Sequence, residues 1–263
     1  MQEVFLISPI RSKIDSVREQ TIQALHRPTD FRVSEQSARD VTVLAPDALP
    51  PKKGLSLREG QGRLLHDLAS IELQAMEMCF RSLIEYPDAP SEFREHLAQI
   101  TLEEASHLEL CLNGMEKLGY QWGHWPVHMA LWQSLRREDS LLDRILIVHR
   151  YLEGSGLDAG ETLMKRLSGV LDHGLKSIVN TIVTEEVNHV RFGSDWYRTL
   201  CQQEKRDPEI DFRERMIKIR YQVPKRIENI SVELRKKGGF SDSELQFIEE
   251  MRQSIVKYKK GEK

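Results

Sequence analysis

Residues 183–193 read VTEEVNHVRFG and lie within a run that predicts one long helix. Aliphatic residues at steps of three and four mark its buried face: Ile178, Ile182 and Val190. Glu186 and His189 fall on that same face, where another aliphatic residue would be expected. Because a buried carboxylate is destabilising unless a cation pairs with it, the stretch predicts that a positive charge is buried beside this helix.

The same arrangement occurs earlier in the chain. A second predicted helix places Glu104 and His107 on its apolar stripe, so that Glu-x-x-His appears at 104–107 and again at 186–189. Each motif follows a helix that also carries a core glutamate, Glu72 before the first and Glu153 before the second. The matched spacing, 32 and 33 residues between the paired glutamates, predicts two similar helical hairpins.

Four core glutamates and two core histidines form a donor set for metal ions. Four carboxylates carry a charge of −4, which two divalent cations would neutralise, and neutral imidazoles would complete the ligand sets. This combination is the one found in di-iron and di-manganese carboxylate bundles. The predicted ligands, with no catalytic residue beyond them, are Glu72, Glu104, His107, Glu153, Glu186 and His189.

Nearby polar residues have more ordinary interpretations. His149 lies one helical turn before Glu153, and the sequence favours a hydrogen-bonded core histidine over a residue that orients or supplements the ligand. Tyr151 should point away from Glu153, so no radical tyrosine is indicated. The tryptophan-rich connection between the second and third long helices is interpreted as a packed cap rather than a substrate pocket.

The chain divides into three segments by composition and periodicity. Residues 1–57 contain a short helix, expected at about 13–26, and an irregular, proline-containing arm. Residues 58–203 predict an all-α domain of four long helices, with a long crossover between the second and third. The helices are expected at about 57–85, 91–119, 139–167 and 172–203, with Ser91 as the N-cap of the second and Asp139 as the start of the third. A bulge or break is expected in the third helix because of Gly154, Gly156 and Gly160. Residues 204–263 predict a basic extension of one or two helices after Pro208, with breaks at Pro224 and at Gly238-Gly239.

Composition narrows the location and the partners. The net charge of −3 gives no overall attraction to nucleic acid, although residues 212–263 hold 14 Lys and Arg against 8 Asp and Glu. The three cysteines, Cys79, Cys111 and Cys201, form no CxxC pair, so a reducing cytoplasm is expected. No apolar run approaches the roughly 20 residues of a membrane span.

Three stretches resemble a known family: LLHDLASIELQAMEM, LEEASHLELCLNGMEKLGY and TEEVNHVRFG, with PPKKGL before the first. They are similar to an uncharacterised bacterial branch of the ferritin-like superfamily that is known as a domain of unknown function. The resemblance implies a ferritin-like four-helix bundle in which Glu104 and Glu186 bridge two metals. Glu72 and His107 would serve one metal, and Glu153 and His189 the other.

The resemblance does not choose a reaction, because the superfamily supports many. The favoured expectation is a monooxygenase-like oxidoreductase with two iron ions, or manganese, that activates dioxygen or peroxide for an unknown small-molecule substrate. A monomeric or dimeric state is favoured with it, and the use of an external electron donor is left open. A ferroxidase or iron-storage protein, a rubrerythrin-like peroxide reductase and a purely structural bundle remain alternatives, and the basic segment leaves an RNA or nucleotide substrate open.

Overall fold

The computed structural model describes residues 3–226 and 228–261, and within these residues the protein is all-helical, with no β-strand. A single isolated bridge pairs Val43 with Val127. A π-helical segment, Leu146–Leu152, joins the fourth helix to the fifth without a break. The helices are α1 (Ile10–His26), α2 (Arg58–Glu85), α3 (Ser91–Lys117), α4 (Leu141–Ile145), α5 (Glu153–Leu167), α6 (His173–Gln203), α7 (Pro208–Ile219), α8 (Val232–Lys237) and α9 (Asp242–Gly261).

The long helices begin and end close to their predicted bounds, but two helix starts differ. Ser91 was expected to cap α3, yet Pro90 precedes the helix in an extended conformation and Ser91 is already its first residue. The third long helix was expected to start at Asp139. It starts instead after Ser140, whose hydroxyl accepts a hydrogen bond from the backbone N–H of Asp143 while the Asp143 carboxylate accepts one from that of Ser140. This reciprocal capping stabilises the later start.

The segment after α6 is more helical than its sequence predicts. One or two helices were expected beyond Pro208, and the described residues form α7, α8 and α9. The predicted breaks are confirmed, since Pro224 lies between α7 and α8 and the Gly238-Gly239 pair ends α8. Gly239 has a φ of +88°, a conformation that glycine adopts without the strain a β-carbon would bring.

The chain forms two compact units, and the first comprises the described part of Met1–Gln133 together with Gly169–Ile178. The five-residue connection 86–90 makes α2 and α3 an antiparallel hairpin. Its buried apolar side chains include Leu65 and Leu73 from α2 and Leu97 and Leu108 from α3. Helix α1 packs against both helices of this hairpin.

A polar face of α2 fixes the irregular segments of the first unit. Glu77, fully buried, forms ion pairs with Lys13 at 2.7 Å and with Arg39 at 2.5 Å. The side-chain oxygen of Gln74 accepts hydrogen bonds from the backbone N–H groups of Leu131 and Trp132. The N-terminal arm and the connection after α3 are therefore attached to α2 by specific buried hydrogen bonds.

The second unit comprises the described part of Ser134–Ser168 and Val179–Lys263. It is held together by buried arginines that pair with acidic residues from distant parts of its sequence. Asp158 of α5 accepts hydrogen bonds from Arg235 and Arg252, both at 2.8 Å. Arg150 of the π-helical segment pairs with Glu244 at the same distance. These pairs attach α8 and α9 to α5 and the π-helical segment. Among the described residues of the chain, no helix combines the length and apolar character that a membrane span requires.

Candidate metal-binding residues

The first unit brings together three of the six predicted ligands. Glu72 comes from α2, and Glu104 and His107 come from α3, one helical turn apart. All three are buried. Each offers one ligand atom, and these atoms lie within 4.8 Å of one another. We call Glu72, Glu104 and His107 the first triad.

The first triad creates a strongly negative environment around an imidazole. The Nδ1 atom of His107 lies 3.6 Å from Oε2 of Glu72 and 3.7 Å from Oε2 of Glu104. Burial by itself would lower the pKa of His107, but hydrogen bonding and charge from Glu104 and Glu72 raise that pKa to about 11. The shift means that these residues stabilise a positive charge beside Nδ1, which either a proton or a metal cation can supply.

The second unit brings together the other three predicted ligands. Glu153 is the first residue of α5, and Glu186 and His189 lie one turn apart on α6. Their ligand atoms also lie within 4.8 Å of one another, and Nδ1 of His189 is 3.5 Å from Oε1 of Glu186. All three side chains are buried. We call Glu153, Glu186 and His189 the second triad, and it has the same donor types as the first.

The spacing of atoms in each triad suits a shared cation. Metal bonds to nitrogen and carboxylate oxygen are about 2.0–2.2 Å long, so two ligand atoms on one metal lie at most about 4.4 Å apart. The separations between histidine Nδ1 atoms and carboxylate oxygens, 3.5–3.7 Å, fall inside that range. Two carboxylates and one neutral imidazole also match the charge of a divalent ion. The residues present therefore fit a metal ion in each triad.

His149 lies directly against a residue of the second triad. Its Nδ1 atom is 2.9 Å from Oε1 and 3.0 Å from Oε2 of Glu153, and its ring makes an edge-to-face contact with Phe192. A β-carbon on Gly193 would lie 2.4 Å from that of His149, so glycine at this position allows the π-helical segment to approach α6. His149 is thus a buried, hydrogen-bonded histidine, as the sequence favoured, and the partner of its Nδ1 atom is the predicted ligand Glu153.

Other residues that the sequence singled out have structural partners. Cys111 is buried one turn beyond His107, and burial raises the pKa of its thiol well above the usual range, which keeps it neutral. The hydroxyl of Tyr151 donates to the carbonyl of Pro224. Trp132 is buried against Phe5 and donates to the carbonyl of Glu35, as expected of a packed cap.

Sequence reasoning missed several buried charged groups. Glu77, Arg150 and Asp158 were not singled out, although each is almost completely buried and ion-paired. A local signal existed for Glu77, because it stands within the otherwise apolar stretch AMEMCF of α2. Nothing in the neighbouring sequence identifies its partners, which come from a distant part of the chain.

Comparison with known proteins assigns the sequence of this chain to a family. A family model described as a protein of unknown function, DUF455, matches residues 7–246 and so includes both triads. The chain belongs to the DUF455 family. An uncharacterized protein of Haemophilus influenzae is a relative, 29% identical over 216 residues that cover 79% of this chain and 74% of that protein. No solved structure matches this DUF455 chain significantly.

Proposed function

We propose that this DUF455 protein is a di-metal carboxylate oxidoreductase with a ferritin-like four-helix bundle. The observation that carries the proposal is the presence of two buried triads of identical donor types, each with its ligand atoms within 4.8 Å. Glu72 and His107 would bind one metal, Glu153 and His189 the other, and Glu104 and Glu186 would bridge them. The bundle would consist of α2, α3, α6 and the continuous helix made by α4, the π-helical segment and α5.

The donor set favours iron or manganese as the resident metal. Mixed carboxylate and imidazole ligands suit these ions, and thiolates, which favour softer metals, are absent from both triads. When bound, such a pair of ions supplies redox chemistry toward dioxygen or peroxide. The chain's own part is to hold the carboxylates and imidazoles in fixed, buried positions and to exclude bulk water from them. An organic substrate and an external electron donor complete the proposal.

Metal content tests this proposal directly. The protein should be purified without metal-affinity steps or chelators, and iron and manganese should be measured per chain by elemental analysis. We expect about two ions per chain, or two ferrous ions taken up during anaerobic reconstitution. Exposure of the reduced protein to oxygen should then oxidise the iron, which optical spectroscopy can follow.

Two adjacent glutamates of α3 provide the matched variants. Glu104→Gln keeps the shape of a buried ligand but removes its charge, so we expect it to lose both bound ions, because Glu104 is a proposed bridge. Glu103→Gln removes a charge from the neighbouring, partly exposed position, and we expect this variant to keep both metal ions. If Glu104→Gln retains two ions per chain, the assignment of the ligands is wrong.

Metal storage is the alternative function, and it differs from the proposed enzyme in requiring assembly of many chains. A ferroxidase or storage protein would use the same ligands but would need an oligomeric shell to hold a mineral. In this chain the arm before α2 and the helices after α6 lie outside the four proposed bundle helices. These additions favour a protein that shapes a substrate site over one that forms a shell.

A further inference from the structure

His149 contacts the second triad without belonging to it. It is 1% exposed, and its Nδ1 atom lies within hydrogen-bonding distance of both carboxylate oxygens of Glu153. An ionised carboxylate can only accept hydrogen bonds. If Glu153 is ionised, as a metal ligand must be, this contact requires a proton on Nδ1 of His149, and the protonated nitrogen has no lone pair with which to bind a metal.

The surroundings of His149 hold its ring in place. The ring makes an edge-to-face contact with Phe192, with the ring centroids 5.0 Å apart, and Gly193 of α6 leaves space for the β-carbon of His149. His149 also lies in the π-helical segment that ends where Glu153 begins α5. Such segments are rare and frequently occur at functional sites. The backbone, the aromatic contact and the glycine thus fix the direction from which the Nδ1 proton reaches Glu153.

We propose that His149 is a positioning residue that orients the Glu153 carboxylate toward Glu186 and His189 for metal binding. This inference rests on the proposed function and deepens it, since it assigns a role to a residue outside the two triads. A carboxylate held in its binding orientation loses less conformational entropy when it takes up a cation. Hydrogen-bonding partners of metal ligands commonly contribute about 10- to 100-fold in metal affinity.

The test is an anaerobic titration with Co²⁺, whose visible absorption reports coordination geometry, on the full-length protein. His149→Leu fills the space beside Phe192 but provides no donor, whereas His149→Asn keeps an N–H donor close to the position of Nδ1. His173→Leu removes an exposed histidine and is the control for cobalt bound at the surface. The thermal midpoint of each metal-free variant, measured with chelator, separates an altered site from an altered fold.

We expect His149→Leu to bind one of its two cobalt ions about 10- to 100-fold more weakly, with a changed spectrum. His149→Asn should stay within a few fold of the wild-type affinity, and His173→Leu should match the wild type. If His149→Leu does not fold, His149→Phe provides the variant without a donor. Wild-type affinity and spectrum in the variant without a donor would overturn the role of His149. The role of His149 would also be overturned if the Asn variant and the variant without a donor lost cobalt affinity equally while their metal-free stabilities were similar. A wild-type protein that binds no cobalt would instead overturn the proposed function itself.

Discussion

Glu72 and Glu77 stand five residues apart on α2, and both are buried, yet their surroundings differ completely. Glu72 lies beside His107, while Glu77 pairs with Lys13 and Arg39. Burial by itself would raise the pKa of Glu77, but the two cations lower it below its usual range. A protein cation thus already neutralises Glu77, which makes it a structural residue rather than a ligand. Residue type and helical spacing identified Glu72, but only the tertiary structure could distinguish these two roles.

His66 provides a pH-dependent test at the residue scale. It is completely buried, and its Nε2 atom accepts a hydrogen bond from the backbone N–H of Gly123. The pKa of His66 is lowered to about 4, chiefly by burial, with Asp67 opposing the shift and Arg63 and His124 adding to it. The unfolded chain takes up this proton near a pH of about 6.5, well before the folded protein does. Protonation therefore favours the unfolded state as pH falls from about 6.5 toward 4.

We expect the free energy of unfolding of the metal-free protein to decrease across this pH range. His66→Gln can still accept the Gly123 hydrogen bond but cannot titrate, so it should reduce that decrease. His26→Gln, which changes an exposed histidine, should leave it unaltered. Chemical denaturation at several pH values measures the effect. Identical pH dependence in the wild type and His66→Gln would show that His66 contributes nothing to it.

At the scale of elements, the third long helix departs most from its sequence prediction. Glycines at positions 154, 156 and 160 predicted a bulge, but the irregular turn is the π-helical segment Leu146–Leu152 just before them. The glycines lie inside the regular helix α5. Two of them allow close packing instead, since a β-carbon at Gly160 would lie 2.5 Å from Val183 and one at Gly154 would lie 2.9 Å from Arg235. A helical glycine can mark a close approach as well as a break, and sequence alone does not separate the two.

Gly193 tests the contact between α6 and the π-helical segment, and Gly156, another helical glycine of the second unit, provides the control. Gly193→Ala should destabilise the protein by about 1–3 kcal/mol, because its β-carbon meets that of His149, which is close to the backbone and cannot easily move. Gly156→Ala adds a β-carbon with no atom within 4 Å, so it should stabilise the protein by about 0.5–1 kcal/mol. Denaturant unfolding measures both changes. A Gly193→Ala variant as stable as Gly156→Ala would contradict this contact.

At the scale of the whole molecule, the assembly state separates the proposed enzyme from a storage protein. We expect a monomer or a dimer, with a mass close to 30.6 kDa or twice that value. The reason is that the arm before α2 and the helices after α6 extend the chain beyond the proposed bundle, where they would obstruct shell packing. Analytical ultracentrifugation of the metal-loaded protein measures the mass. A closed shell of many subunits would favour iron storage over oxidation of an organic substrate.

The sequence by itself determined the helical class and the approximate bounds of the long helices. It also identified the six candidate ligands, because helical periodicity and the cost of burying charge are local properties that spacing reveals. Only the tertiary structure decided that Glu77 and Asp158 are neutralised by arginine and lysine. It also decided that His149 of the π-helical segment contacts Glu153 at the start of α5, and that glycines of α5 and α6 allow close packing. These outcomes depend on residues that are distant in sequence and on backbone geometry, neither of which local periodicity encodes.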